Sequence, residues 1–180
     1  MTGADLTGML PHMLARLWAF ALRLAGDTHD AEDLVQLACV RAIERAHQLK
    51  QNTAPLSWMF SIMQSVWISE VRARRVRHRG RIEWDDDFLA AVPDPDAIDP
   101  QEQALNAQII RAVQELPEDQ RVVMLLVAIE GLSCQEAADV LELPIGTVTS
   151  RLWRARNAIG AQFGTRNHHD MHAKTRGRDS

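Results

Sequence analysis

Residues 131–160 read G-L-S-C-Q-E-A-A-D-V-L-E-L-P-I-G-T-V-T-S-R-L-W-R-A-R-N-A-I-G and leave few folds open. Ser133 and Glu136 stand three apart as a capping box, in which two orphan N–H groups at a helix start are satisfied reciprocally. Ala137, Ala138 and Leu141 give that helix a small apolar face. A break follows at Glu142-Leu143-Pro144, and Pro144 suits the first turn of a second helix because its missing N–H costs nothing there. In the second helix Val148, Leu152, Ala155 and Ile159 recur at i, i+4, i+7 and i+11, a single buried stripe. The opposite face carries Gly146, Thr147, Ser150, Trp153, Arg154 and Asn157, with Thr149, Arg151 and Arg156 at its flanks. This is the pattern of a helix-turn-helix. Its outward face suits a major groove, since Ser and Thr fit base edges and Arg reaches guanine or phosphate. An ordinary helical hairpin with a solvated outer face is the plainer alternative. Glu142 runs against a DNA reader: it stands where the turn favours Gly, and its carboxylate faces phosphate badly.

Upstream, the apolar residues Leu14, Leu17, Trp18, Ala21, Leu22 and Ala25 keep helical spacing from His12, and Gly26 ends that helix. Asp27 or Thr28 can cap the next one, whose first turn holds Asp30, Glu32 and Asp33, where the helix dipole favours anions. Its stripe runs Ala31, Leu34, Val35, Ala38, Ala42 and Ala46. Thr53 and Pro55 open a third helix carrying Met59, Phe60, Met63, Val66 and Trp67. Six Arg fall between residues 72 and 81, too dense for a helix end alone and suited to a nucleic-acid backbone. Residues 1–11 are weakly patterned, and no strand pattern or repeat interrupts the helical periodicity.

The net charge of −4 is awkward for a nucleic-acid binder until it is mapped. Residues 82–102 hold eight of the 24 acidic residues and no Lys or Arg, so the remainder has 16 acidic against 20 basic residues. With Pro93, Pro95 and Pro100 in the same strip, it reads as a flexible linker that cannot fold alone. The expected fold is therefore all-α: a helical domain over residues 1–80, an acidic linker over 81–103, a helix-turn-helix domain over 104–165 and a disordered tail over 166–180. No apolar run approaches a membrane span, no secretory signal is evident, and Cys39 and Cys134 have no paired spacing, which points to the cytoplasm. His168, His169 and His172 lie in the unpatterned tail, and no metal site or cofactor is expected from them. No nucleophile-and-base pair, Gly-rich phosphate loop or HExxH is present, so no enzymatic activity is expected.

L-P-E-D-Q-R (116–121), E-G-L-S-x-x-E-A-A (130–138) and P-I-G-T-V-T-S-R-L-W-R-A-R (144–156) resemble the promoter-reading domain of extracytoplasmic-function sigma factors. D-A-E-D-L-V-Q (30–36) resembles that family's polymerase-docking segment. The resemblance covers about residues 9–164 and implies two helical domains that bind core RNA polymerase and promoter DNA to start transcription under an anti-sigma factor, of a kind that can be membrane-anchored. It implies docking on polymerase by Asp30, Asp33 and Gln36. It implies contact with the upstream (−35) element by Thr147, Thr149, Ser150, Arg151, Trp153 and Arg154. It implies capture of the opened downstream (−10) element by Asn52, Trp58, Ser65, Arg72, Arg74 and Arg75. The chain departs from the family pattern at Leu37, where an acid is usual, at Glu142, where Gly is usual, and at Thr149, where a base is usual. A stand-alone helix-turn-helix regulator is the alternative, though such proteins usually gain affinity from dimer symmetry and no dimerisation seam is evident.

Overall fold

The computed structural model describes the backbone of residues 3–49, 53–71 and 100–175. Every regular element among them is helical, as the all-α expectation requires. Helices α1 (Gly3–Ala25), α2 (Thr28–Glu44) and α3 (Pro55–Val66) form the N-terminal module, with a 3-10 turn at Ala46–Gln48 and a π-helical turn at Trp67–Val71. Helices α4 (Pro100–Gln114), α5 (Glu118–Met124), α6 (Cys134–Leu141) and α7 (Ile145–Thr175) form the C-terminal module, and a π-helical turn at Leu125–Ile129 continues α5.

Local chemistry explains most boundaries. Asp27 caps α2, its carboxylate accepting from the Asp30 N–H at 2.9 Å. Gly26 and Gly131 take positive φ, 71° and 75°, where a β-carbon would be strained, and each lets the chain turn at the end of a helix. Thr53 does not cap α3: Ala54 occupies the N-cap without a side-chain bond, and Pro55 supplies a first residue that needs no partner for an N–H.

Two boundaries differ from the sequence reading. Helix α1 starts at Gly3 rather than near His12, because Leu6, Leu10, Met13 and Leu17 already form a buried stripe. Pro11 lies on the exposed side of that helix, where the loss of one backbone donor is tolerated. At the other end, α7 continues to Thr175, past the boundary expected at residue 165. No proline follows to stop the ladder, and adding a residue to an existing helix avoids the nucleation cost. Of the expected linker, residues 100–103 belong to α4 and residues 81–99 lie outside the described residues.

The buried residues form one cluster that runs through both modules. In the first, Phe20 and Phe60 meet at 4.7 Å between ring centroids, among Leu17, Leu34, Met63 and Val66. In the second, Val123, Leu126, Ala137, Val148, Leu152 and Ala155 close the helix-turn-helix onto α5. Helix α1 touches α4 and α5, and α3 packs against α6. Polar clasps reinforce the contact. The Arg16 guanidinium donates to Glu130 Oε2 at 3.1 and 2.8 Å and to the Glu130 carbonyl at 3.3 Å. Arg121 donates to the carbonyls of Leu24 at 2.9 Å and Leu116 at 3.1 Å. The Arg16 side chain is 53% exposed and that of Glu130 only 5%, so solvent screens the pair from one side alone.

Candidate nucleic-acid interface

The capping box is present in full: the Ser133 N–H donates to Glu136 Oε2 at 2.7 Å and the Glu136 N–H donates to Ser133 Oγ at 3.2 Å. Hydrogen bonding to Ser133, by its side chain first and then its backbone, lowers the Glu136 pKa. Helix α6 then ends on Glu142 in the left-handed region, φ 54° and ψ 42°. A side chain in that conformation costs about 1–2 kcal/mol relative to glycine. The turn expected to favour Gly does take glycine's conformation, and a glutamate occupies it.

Val148 and Ala155 are fully buried and Leu152 nearly so, which fixes the rotation of α7 and turns its other face outward. Trp153 is 67% exposed, an aromatic surface with no cover. Thr149, Ser150 and Arg154 are exposed beside it and Thr147 is half-buried. The hydroxyls are tied back to the helix, Thr149 to the carbonyls of Ile145 and Gly146 at 3.0 and 3.1 Å and Ser150 to that of Thr147 at 3.0 Å. Their protons are thus engaged, while their oxygens keep acceptor capacity toward base amino groups. Arg154 lies along the helix, donating to Ser150 Oγ and to the Ser150 carbonyl, both at 3.3 Å. Arg151 is placed differently. Its Nε sits 3.2 Å from Asp119 Oδ2 in the first turn of α5, so it clamps α7 to α5 rather than standing free on the outward face.

In the N-terminal module, Asp30 and Asp33 are half-buried in the first turns of α2, and the exposed Gln36 donates to Glu32 at 3.1 Å. The same face continues through Val40 and Ile43, 54% and 45% exposed, which the sequence reading did not single out. Their signal was present: both are apolar yet fall off the Ala31–Leu34–Ala38–Ala42 stripe. Burial pushes the Cys39 thiol up in pKa, away from the thiolate form.

Trp58 is half-buried and Ser65 exposed on α3. Both line a groove between the modules, together with Arg41 of α2, Arg45 just after it, Val140 of α6 and Glu142 at its end. Asn52, Arg72, Arg74 and Arg75 lie outside the described residues, and so do the side chains of the tail histidines. Among the described residues, no three potential metal ligands cluster and no helix is long and apolar enough to cross a membrane.

Comparison with known proteins places both modules. The family model for Sigma-70 region 2 matches residues 11–77, and that for Sigma-70 region 4 matches residues 106–159. The chain is 31% identical over 146 residues to the ECF RNA polymerase sigma factor EcfG of Rhodopseudomonas palustris, covering 81% of this chain and 77% of that one. It is 33% identical over 145 residues to the ECF sigma factor SigE of Mycolicibacterium smegmatis, covering 80% of this chain but 56% of that longer protein. The fold is similar to that of the sigma factor RpoE from Bartonella quintana, solved with the anti-sigma factor NepR. The TM-score is 0.72 at 28% identity, covering 89% of this chain and 97% of that one. With both matched regions in order and a relative aligned over most of its length, the chain belongs to the extracytoplasmic-function family of RNA polymerase sigma factors.

Proposed function

We propose that this chain binds core RNA polymerase in the cytoplasm and directs it to a two-part promoter. Helix α7 reads the upstream element in duplex form through Thr147, Thr149, Ser150, Trp153 and Arg154, with Arg151 holding the helix at its angle. The N-terminal module docks on polymerase through Asp30, Asp33 and Gln36, and Val40 and Ile43 add apolar area to that face. The downstream element is taken as an opened strand along α3, at Trp58 and Ser65, with Asn52 and the basic residues Arg72, Arg74 and Arg75. The protein acts as a regulator of transcription, not as an enzyme. An anti-sigma factor controls it, as the complex of the Bartonella quintana relative suggests by analogy. The observation that carries this reading is the order of the matches, region 2 and then region 4, on one chain.

Core polymerase binding tests it. The full chain is expected to co-migrate with core polymerase on size exclusion. Asp33→Arg places a like charge against a basic docking partner and is expected to weaken that affinity at least about tenfold, with helical content unchanged. No association of the unaltered chain with core polymerase would reject the reading. Unchanged affinity of Asp33→Arg would remove α2 from the interface.

A further inference from the structure

We propose that the C-terminal end of α7 is a metal site, in which His168, His169 and His172, set on one face of the helix, take a divalent cation of the copper, nickel and zinc class. Three of the chain's seven histidines fall within residues 168–172, while His12, His29, His47 and His78 stand singly. In a stretch without periodicity such a cluster is only a His-rich tract. Helix α7 is continuous through it, from Ile145 to Thr175, and turns composition into register.

At about 100° per residue, His172 lies about 40° from His168 and His169 about 100° from it, so the three share one narrow arc of the helix. His168 and His172 stand at i and i+4, the spacing at which two imidazoles on a helix share one ion. His169 and His172, at i and i+3, are neighbours on the same surface.

The residue types select the cation. Within residues 165–175 the one acid, Asp170, falls on the opposite face, and no Cys is present. An all-imidazole set suits copper, nickel and zinc; calcium and magnesium take oxygen ligands, and a closed structural zinc site is usually completed by thiolates. Three nitrogens leave the remaining positions to water, and the general order of affinity puts copper(II) above nickel(II). Gln162 donates to Glu115 at 2.8 Å and holds α7 on α4 just before the cluster. His168 lies roughly four turns beyond Arg154, so metal binding is independent of the DNA contacts proposed above.

Isothermal titration of the untagged full chain with copper(II) chloride and nickel(II) chloride tests the site, with circular dichroism to verify the folding of each variant. The unaltered chain is expected to bind one ion, copper(II) more tightly than nickel(II). His168→Ala and His172→Ala are each expected to weaken binding at least about tenfold, since loss of even an outer partner of a ligand costs that much. A double variant, His172→Ala with Lys174→His, keeps the number of histidines but leaves none at i+3 or i+4 from His168 or His169. It is expected to bind as weakly as His172→Ala alone, and His12→Ala, on α1, to match the unaltered chain. Absence of saturable binding would overturn the site, and so would a loss in His12→Ala equal to that in His172→Ala. Full affinity in the double variant, or in either single variant of the i and i+4 pair, would overturn it as well, since the ion would then be held without the helical register.

Discussion

Phe60→Ala is expected to lower the unfolding free energy by about 3–5 kcal/mol, the range for removing a buried aromatic ring and leaving a cavity. Phe60 has no exposed surface, and its ring packs 4.7 Å from that of Phe20, with Met63 and Val66 in the same cluster. A loss of that size takes a large share of the roughly 5–15 kcal/mol that holds a native domain together. Trp153→Ala removes a larger side chain yet is expected to change stability by no more than about 0.5 kcal/mol, because little of that ring is buried. Urea unfolding checks both: the Phe60 variant should shift the midpoint strongly, and the Trp153 variant should leave it in place. A Phe60 loss below about 1 kcal/mol would be incompatible with the core described, given the burial of that ring.

The second large effect falls on promoter output. Arg154→Ala is expected to lower transcription from every promoter tested, and Ser150→Ala to change which upstream sequences are accepted. Each good base contact contributes about 1–3 kcal/mol of discrimination, or roughly 5- to 150-fold. The structure adds a coupling that the helical wheel alone did not give. Ser150 Oγ accepts from Arg154 at 3.3 Å, so removing the hydroxyl also releases the guanidinium. The double variant is therefore expected to be less impaired than the two single losses added together. A library of upstream elements transcribed by reconstituted polymerase measures choice and output at once. If both single variants fold normally and leave choice and output untouched, α7 does not read DNA.

What could be read from sequence was whatever local chemistry dictates. The capping box at Ser133 and Glu136, the cap at Asp27 and the Val148–Leu152–Ala155 stripe depend on residues within a few turns of one another, and each is where the pattern puts it. The conformation of Glu142 was legible for the same reason, since a turn of that shape favours glycine whatever residue fills it. The start of α1 was not legible because residues 1–11 look weakly patterned, although the Leu6–Leu10–Met13 stripe already begins within them. Partners distant in sequence were not legible. An apolar stripe states that a face is buried but not against what. Nothing in the neighbourhood of Arg16 or Arg121 points to Glu130 or to the Leu24 carbonyl, 114 and 97 residues away. Arg151 illustrates the consequence for the site. Its wheel position suggested a DNA contact, and only the packing of α5 on α7 brings Asp119 within 3.2 Å of it.

Run-off transcription by core RNA polymerase with and without the purified chain tests the central claim most directly. Core polymerase alone should give only non-specific initiation. Addition of the chain should give discrete transcripts from a subset of templates, with start sites at a fixed distance from a shared upstream element. That specificity should be lost with Arg154→Ala. Transcript patterns unaltered by the chain, on templates drawn from a randomised promoter library, would contradict the account.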